Sequence, residues 1–551
     1  KANNIEGEFL GGPVTAKLLT TEMAQPPKLK LDAQGVASIA ELKPWIGDHL
    51  LSWMDGITDW QGTILFDGPK TQISATSDLV GVDLTAPAPL QKNQSTEMPL
   101  QFEMTVGANV EPSLSVRLKD DIYAKFAGDR NQNNQLLDKS IISLGGDTTL
   151  QDGVNFDINY DQINIDDWLQ AIIDLSSIKV SGTSDTTFID SMRSLNVRAK
   201  DPTLLGRKFG ALELSAVSSD GGKWIGSLSG ANIDGIIQAE PRSQVPTYRL
   251  NLSNLHIPEG SKEKRPLAPV NNALSPENYP ILDVNVNSFS LVRKQLGRLQ
   301  MRGEPIDGAW KLAEFKLQHL GVNTLAEGQW VNSPATGTIT NFNIQTTIDE
   351  AGGALQELDM GGFVSKGEGT LTANLNWIGA PHEFDFSRLN GDFDLRVQDG
   401  ELVKIEPGTG KLLGLLNFNA IARRLTLDFS DIFSSGLEFD RMRYAGVFAD
   451  GEAIMREAYI FTPAVFVNMQ GKLDLGKELI DMEIHLSPEL GGNLTLLSAI
   501  ANPAAGALVF LTQQLFKEEM RSSSYKSYRA LGSWDDFELV EFKVNDEQAV
   551  N

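Results

Sequence analysis

Acid–base or metal chemistry would begin at the five histidines, His49, His256, His319, His382 and His485, which are scattered without the close spacing that lets two imidazoles share an ion. His485 falls on the polar side of an alternating segment, where a solvated imidazole is expected. Asp120-Asp121, Asp166-Asp167 and Asp535-Asp536 are sequence neighbours, and neighbours in a strand point to opposite faces, so they make poor acid/base partners. Asp129-x-Asn131-x-Asn133 starts like a calcium loop, but Asn134 stands where the sharp turn needs glycine, and Ser140 replaces the closing carboxylate. A polar hairpin tip is the simpler reading. No phosphate-binding loop, nucleophile elbow or zinc motif occurs, and there is no cysteine. The residues therefore predict a protein that is not an enzyme, with no cofactor and no metal.

Charge narrows the partners. The 551 residues carry 47 Lys and Arg against 72 Asp and Glu, a net charge of −25. Phosphate backbones are bound by neutralising cations, so nucleic acid is excluded as a partner. Electrostatic docking on an anionic bilayer is disfavoured for the same reason. Any contact with lipid must be made by apolar surface.

The elements that would supply such a surface are strands. Ile480, Met482, Ile484 and Leu486 alternate with Asp481, Glu483 and His485. The same period of two appears at Phe102/Met104/Val106, Leu114/Val116/Leu118, Leu212/Leu214, Leu282/Val284/Val286, Leu299/Met301, Phe393/Leu395/Val397 and Val465/Val467/Met469. In a strand each set lies on one face, giving sheets with one apolar and one polar side. Turn pairs at Asp67-Gly68, Asp220-Gly221-Gly222, Asp307-Gly308, Asp399-Gly400 and Asp450-Gly451 are expected to close hairpins. Fifty glycines fit a turn-rich, mostly β chain.

A weak repeat runs through it. Gly210-Ala-Leu212-Glu-Leu214 precedes Trp224 much as Gly297-Arg-Leu299-Gln-Met301 precedes Trp310, and Gly369-Thr-Leu371 to Trp377 and Gly471-Lys-Leu473-Asp-Leu475 echo parts of it. One-sided strands cannot bury their faces alone, so stacked repeats predict a long antiparallel groove or solenoid. Alternation by itself fits a filled sandwich equally well. The expected organisation is a β-meander over residues 1–256 with a short helix near 166–175, capped by its acidic start. A proline-rich exposed junction follows at 257–280, then a β-groove module at 281–490 and a closing helix and strand at 491–551. No charge occurs between Glu489 and Lys517, but Asn493, Asn502-Pro503, Gly506, Thr512 and Gln513-Gln514 would be costly in hydrocarbon. A helix over 503–523 packing Leu508, Leu511 and Leu515 inward is expected instead of a membrane span.

Three stretches resemble the YhdP branch of the AsmA-like proteins of Gram-negative envelopes. They are Ser77-Asp-Leu-Val-Gly81 with Pro87-Ala-Pro89-Leu-Gln-Lys92, Ile163-Asn-Ile165-Asp-Asp-Trp168, and Gly391 through Arg423-Arg424 and Gly436-Leu-Glu-Phe439 to Gly471-Lys-Leu473-Asp-Leu475. The ending Tyr528-Arg-Ala-Leu-Gly532-Ser-Trp534-Asp-Asp536 is similar too. The resemblance implies an elongated, twisted, taco-like β-groove whose apolar lining shields phospholipid acyl chains during transport from the inner to the outer membrane. It also implies a periplasmic location, inner-membrane attachment through an N-terminal anchor absent from this sequence, and outer-membrane contact through the C-terminal region. An envelope scaffold that assembles outer-membrane proteins without moving lipid is the alternative.

Overall fold

Strand order follows from the turns that join the strands. The computed structural model describes residues 2–22, 28–46, 51–128, 138–168, 192–259, 275–402, 437–487 and 526–542, apart from 205, 220–221, 242, 293, 334–336, 358–363, 464 and 534–536. The expected calcium-like tip, the 503–523 helix and most of the proline-rich junction lie outside these residues. The chain divides into two compact units, Lys1–Ala268 and Pro269–Asn551, each mostly strand.

In the first unit, strands Ala2–Phe9, Gly12–Glu22, Lys28–Ser38, Met54–Asp67, Lys70–Ser77, Leu100–Gly107, Ser113–Leu118, Ile122–Ala127 and Lys139–Leu144 pair antiparallel in that order. The uniform antiparallel expectation then fails twice. Val154–Asn159 runs parallel to Lys139–Leu144, and Met192–Ala199 runs parallel to Val154–Asn159. A parallel neighbour cannot be reached by a tight hairpin, and residues 160–191 between the last two supply the long crossover it needs. Antiparallel pairing resumes through Leu212–Ser218, Trp224–Gly230, Ile233–Glu240 and Thr247–Ile257.

That crossover opens with a helical turn from Ile165. Its cap is Asn164, whose side-chain oxygen accepts the Asp166 N–H at 3.1 Å, and not Asp166 as the acidic start suggests. Beside the sheet, helix Ile39–Ile46 and the 78–99 excursion build a small core of Ile39, Leu51, Leu79, Val82, Leu84, Ala86 and Met98 against Leu100 and Leu118.

The second unit is an antiparallel meander throughout its described residues. Its thirteen strands run from Ile281–Leu291 to Phe537–Phe542, each hydrogen-bonded to the next in the chain. Asp307-Gly308, Leu320-Gly321 and Asp450-Gly451 take positive φ at both residues, as two-residue hairpins prefer. Asp399-Gly400 does not close a hairpin. It sits inside strand Asn390–Leu402, where Asp399 at φ 53° lies opposite the Lys366-Gly367 pair, also at positive φ, so both strands kink together. Glycine there admits an aromatic neighbour: a Cβ at Gly400 would stand 2.2 Å from the Phe439 ring.

Candidate functional site

Register carries the apolar positions from strand to strand. In the first unit Leu18, Leu31, Ile64, Ile73, Met104, Leu114 and Phe126 are direct cross-strand partners over seven neighbouring strands. A second row continues it through Leu118, Ile122, Leu144, Ile158, Val197, Leu214 and Leu228, crossing both parallel joints without losing register. Direct partners share a face, so period-two alternation becomes an oily stripe perpendicular to the strands. Every residue of the first row is only half-buried. The expected lining residues Phe102, Met104, Val106, Leu114, Val116, Leu118 and Leu214 all belong to this half-covered class, whereas Leu212 is buried.

The second unit has the same construction with a gradient of cover. One row runs Thr346, Leu371, Leu395, Tyr444, Ala458, Met469, Ile484 and Tyr528. Leu371 and Leu395 are half-buried, and everything from Tyr444 onward is buried. Leu282, Met301 and Phe393 are half-buried, while Val284, Val286, Leu299 and Val397 are buried. Val465, Val467, Ile480, Met482 and Leu486 lie with Met469 and Ile484 inside one continuous core, in which Met482 and Ile484 are 0% exposed. Burial holds the phenol of Tyr444 in this core far above its usual range.

The opposite face is ionic. Arg443 bridges Asp394, at 2.9 Å, and Glu457, while Arg396 holds the same Asp394 at 2.6 Å. Partial burial pushes the Asp394 carboxyl upward, but hydrogen bonds from the two guanidiniums outweigh it and leave the group below the usual range. Arg529–Asp481 and Lys472–Glu452 continue the pattern. His485 does sit on this side, yet it is not solvated. It is 5% exposed, shares a 3.0 Å hydrogen bond with Ser527 and has the Phe542 ring 6.2 Å away. Burial lowers its pKa, and nearby Glu483 only partly restores it.

Sequence reasoning missed an aromatic rim along one end of the second unit's apolar face. Trp310 and Trp330 are direct cross-strand partners, and Trp377 follows one strand further on, past Thr340. Tyr279 packs edge-on against Trp310 and Trp330, Phe384 edge-on against Trp377, and Phe342 lies tilted against Trp377. Trp310 lies over Gly303, where a Cβ would stand 2.1 Å from its ring. The glycine-to-tryptophan segments that end at Trp310 and Trp377 were the available signal. Among the described residues no cluster of His, Asp and Glu could hold a metal, and no helix is long and apolar enough to cross a membrane.

The family profile described as YhdP protein matches residues 1–537. The chain belongs to the YhdP family. It is similar, at 27% identity over 218 residues, to the Escherichia coli (strain K12) protein named intermembrane phospholipid transporter YhdP. That match takes in 39% of this chain and 17% of the relative's length. No solved structure matches this YhdP-family chain.

Proposed function

We propose that the half-covered apolar stripe shields the acyl chains of phospholipids in transit between the inner and outer membranes of a Gram-negative envelope. In this reading the chain is the periplasmic, non-enzymatic part of a protein held at the inner membrane. The name of the Escherichia coli relative supports phospholipid as the cargo. The observation that carries the reading is the row Leu18 to Phe126, seven large apolar side chains in direct register and none of them buried. A sheet face that is only a core would bury such residues, and a half-covered one leaves room for apolar cargo.

The physical need is large. A phospholipid has about 30 methylenes, each costing roughly 0.8 kcal/mol in water, on the order of 24 kcal/mol in all. Continuous apolar cover removes most of that barrier, and an even lining without a deep site avoids stalling the cargo. The ionic opposite face keeps the sheet soluble. Native mass spectrometry of the purified chain tests the proposal: bound phospholipid is expected, and a chain that carries none while holding a protein partner would instead favour the scaffold reading.

A further inference from the structure

Cover over the second unit's apolar face deepens along its strands and becomes complete between Asn390–Leu402, where Phe393 and Leu395 are half-buried beside buried Val397, and Leu437–Ala449. Leu395 pairs with buried Tyr444, and Phe393 with Gly446, whose partner on the next strand, Met455, is buried. An acyl chain following the stripe from the half-covered strands therefore meets a closed core at this boundary. The 379–389 segment stands at the same place, joining Val364–Ile378 to Asn390–Leu402. It carries the two exposed phenylalanines Phe384 and Phe386, 41% and 39% exposed.

These rings are held out deliberately. Phe386 packs edge-on against Phe384 at 4.8 Å between centroids, Phe384 edge-on against buried Trp377 at 5.1 Å, and Trp377 lies tilted against Phe342 of the apolar face at 5.4 Å. The backbone beneath them is fixed. The Trp377 indole donates to the Ala380 carbonyl at 3.0 Å, the Glu383 carboxylate accepts the Ala380 N–H at 2.8 Å, and the Gly451 N–H donates to the Leu389 carbonyl at 3.0 Å. The result is an unbroken aromatic path from the apolar face to solvent, on a loop with no slack to fold it away.

We propose that this loop is a lateral port, where a phospholipid acyl chain leaves or joins the apolar face on reaching the closed core. The proposal rests on the acyl-chain reading of that face. Glu383 and Asp385 flank the rings, and the chain is strongly acidic, so attraction to an anionic bilayer does not explain them. A single acyl chain passed ring to ring does.

The test places p-benzoylphenylalanine at position 384, 386 or 395 in the full chain, incubated with vesicles of phosphatidylethanolamine and phosphatidylglycerol. Phospholipid crosslinks are expected at all three, and the double change Phe384→Ser with Phe386→Ser should slow lipid exchange about tenfold while leaving the crosslink at 395. Crosslinks at 395 but none to lipid at 384 or 386, or crosslinks there to protein, overturn the port and leave the transport reading intact. No lipid at any position overturns both. The milder pair Phe384→Leu with Phe386→Leu, which keeps apolar surface and fold, should exchange lipid at near the unmodified rate, and an equal tenfold loss there also counts against the port.

Discussion

Trp168 donates its indole N–H to the carbonyl of Ala88 at 2.8 Å, across eighty residues of chain. The bond joins two of the stretches by which the sequence resembles its family, the 77–92 excursion and the turn that opens the crossover. Each looks soft in sequence because its residues serve the other segment and not a site. Trp168→Phe keeps the ring and removes the donor, so it should cost about 1 kcal/mol in urea unfolding, with the strand content by circular dichroism unchanged.

Lys92 closes the same excursion from within. Its ammonium is buried and donates to the carbonyls of Leu79, at 2.8 Å, and Val82. Lys92→Met preserves the apolar stem but leaves both carbonyls short of a donor. A loss of about 1–3 kcal/mol is expected by denaturant titration, with local hydrogen exchange accelerating at Gly81 and Val82.

Acid should weaken the second unit through His485. Its pKa is lowered in the folded state, so between the ordinary value of 6.5 and that lower value the unfolded chain binds the proton first. The histidine's contribution is therefore complete above pH 6.5 and is lost as pH falls through the folded value. Unfolding followed at pH 7.5 and pH 5 should show a smaller loss on acidification in His485→Gln than in the unmodified chain. Equal losses would mean that the ring is solvated after all.

How much of this was legible in the sequence depends on what each signal measures. Period two fixes direction, so the shared face of Ile480, Met482 and Ile484 follows from alternation alone, as does that of Met104 and Val106. It says nothing of depth, which is set by whatever lies over the face from elsewhere in the chain. Met104 and Met482 sit in equally regular alternation, yet one is half-buried and the other wholly enclosed. His485 shows the same blindness on the polar side, since Ser527 lies 42 residues away. Asp399-Gly400 carries a hairpin's residues without being one, because the opposing Lys366-Gly367 absorbs the kink. The parallel joints were hidden because period two is identical for either strand direction.

That difference in depth separates the two methionines experimentally. Met482→Ala empties space in a closed core and should destabilise by about 2–5 kcal/mol, and Met482→Asp should prevent folding of the second unit, because an unpaired carboxylate would be enclosed there. Met104 has Ile73 and Leu114 beside it but is only partly covered, so Met104→Asp can keep its carboxylate in water and should cost far less. If the half-covered stripe carries acyl chains, Met104→Asp should nonetheless lower the phospholipid retained in native mass spectrometry and abolish photo-crosslinking from neighbouring Leu114. A folded Met104→Asp chain that retains as much lipid as the unmodified protein would remove the first unit's stripe from the transport path.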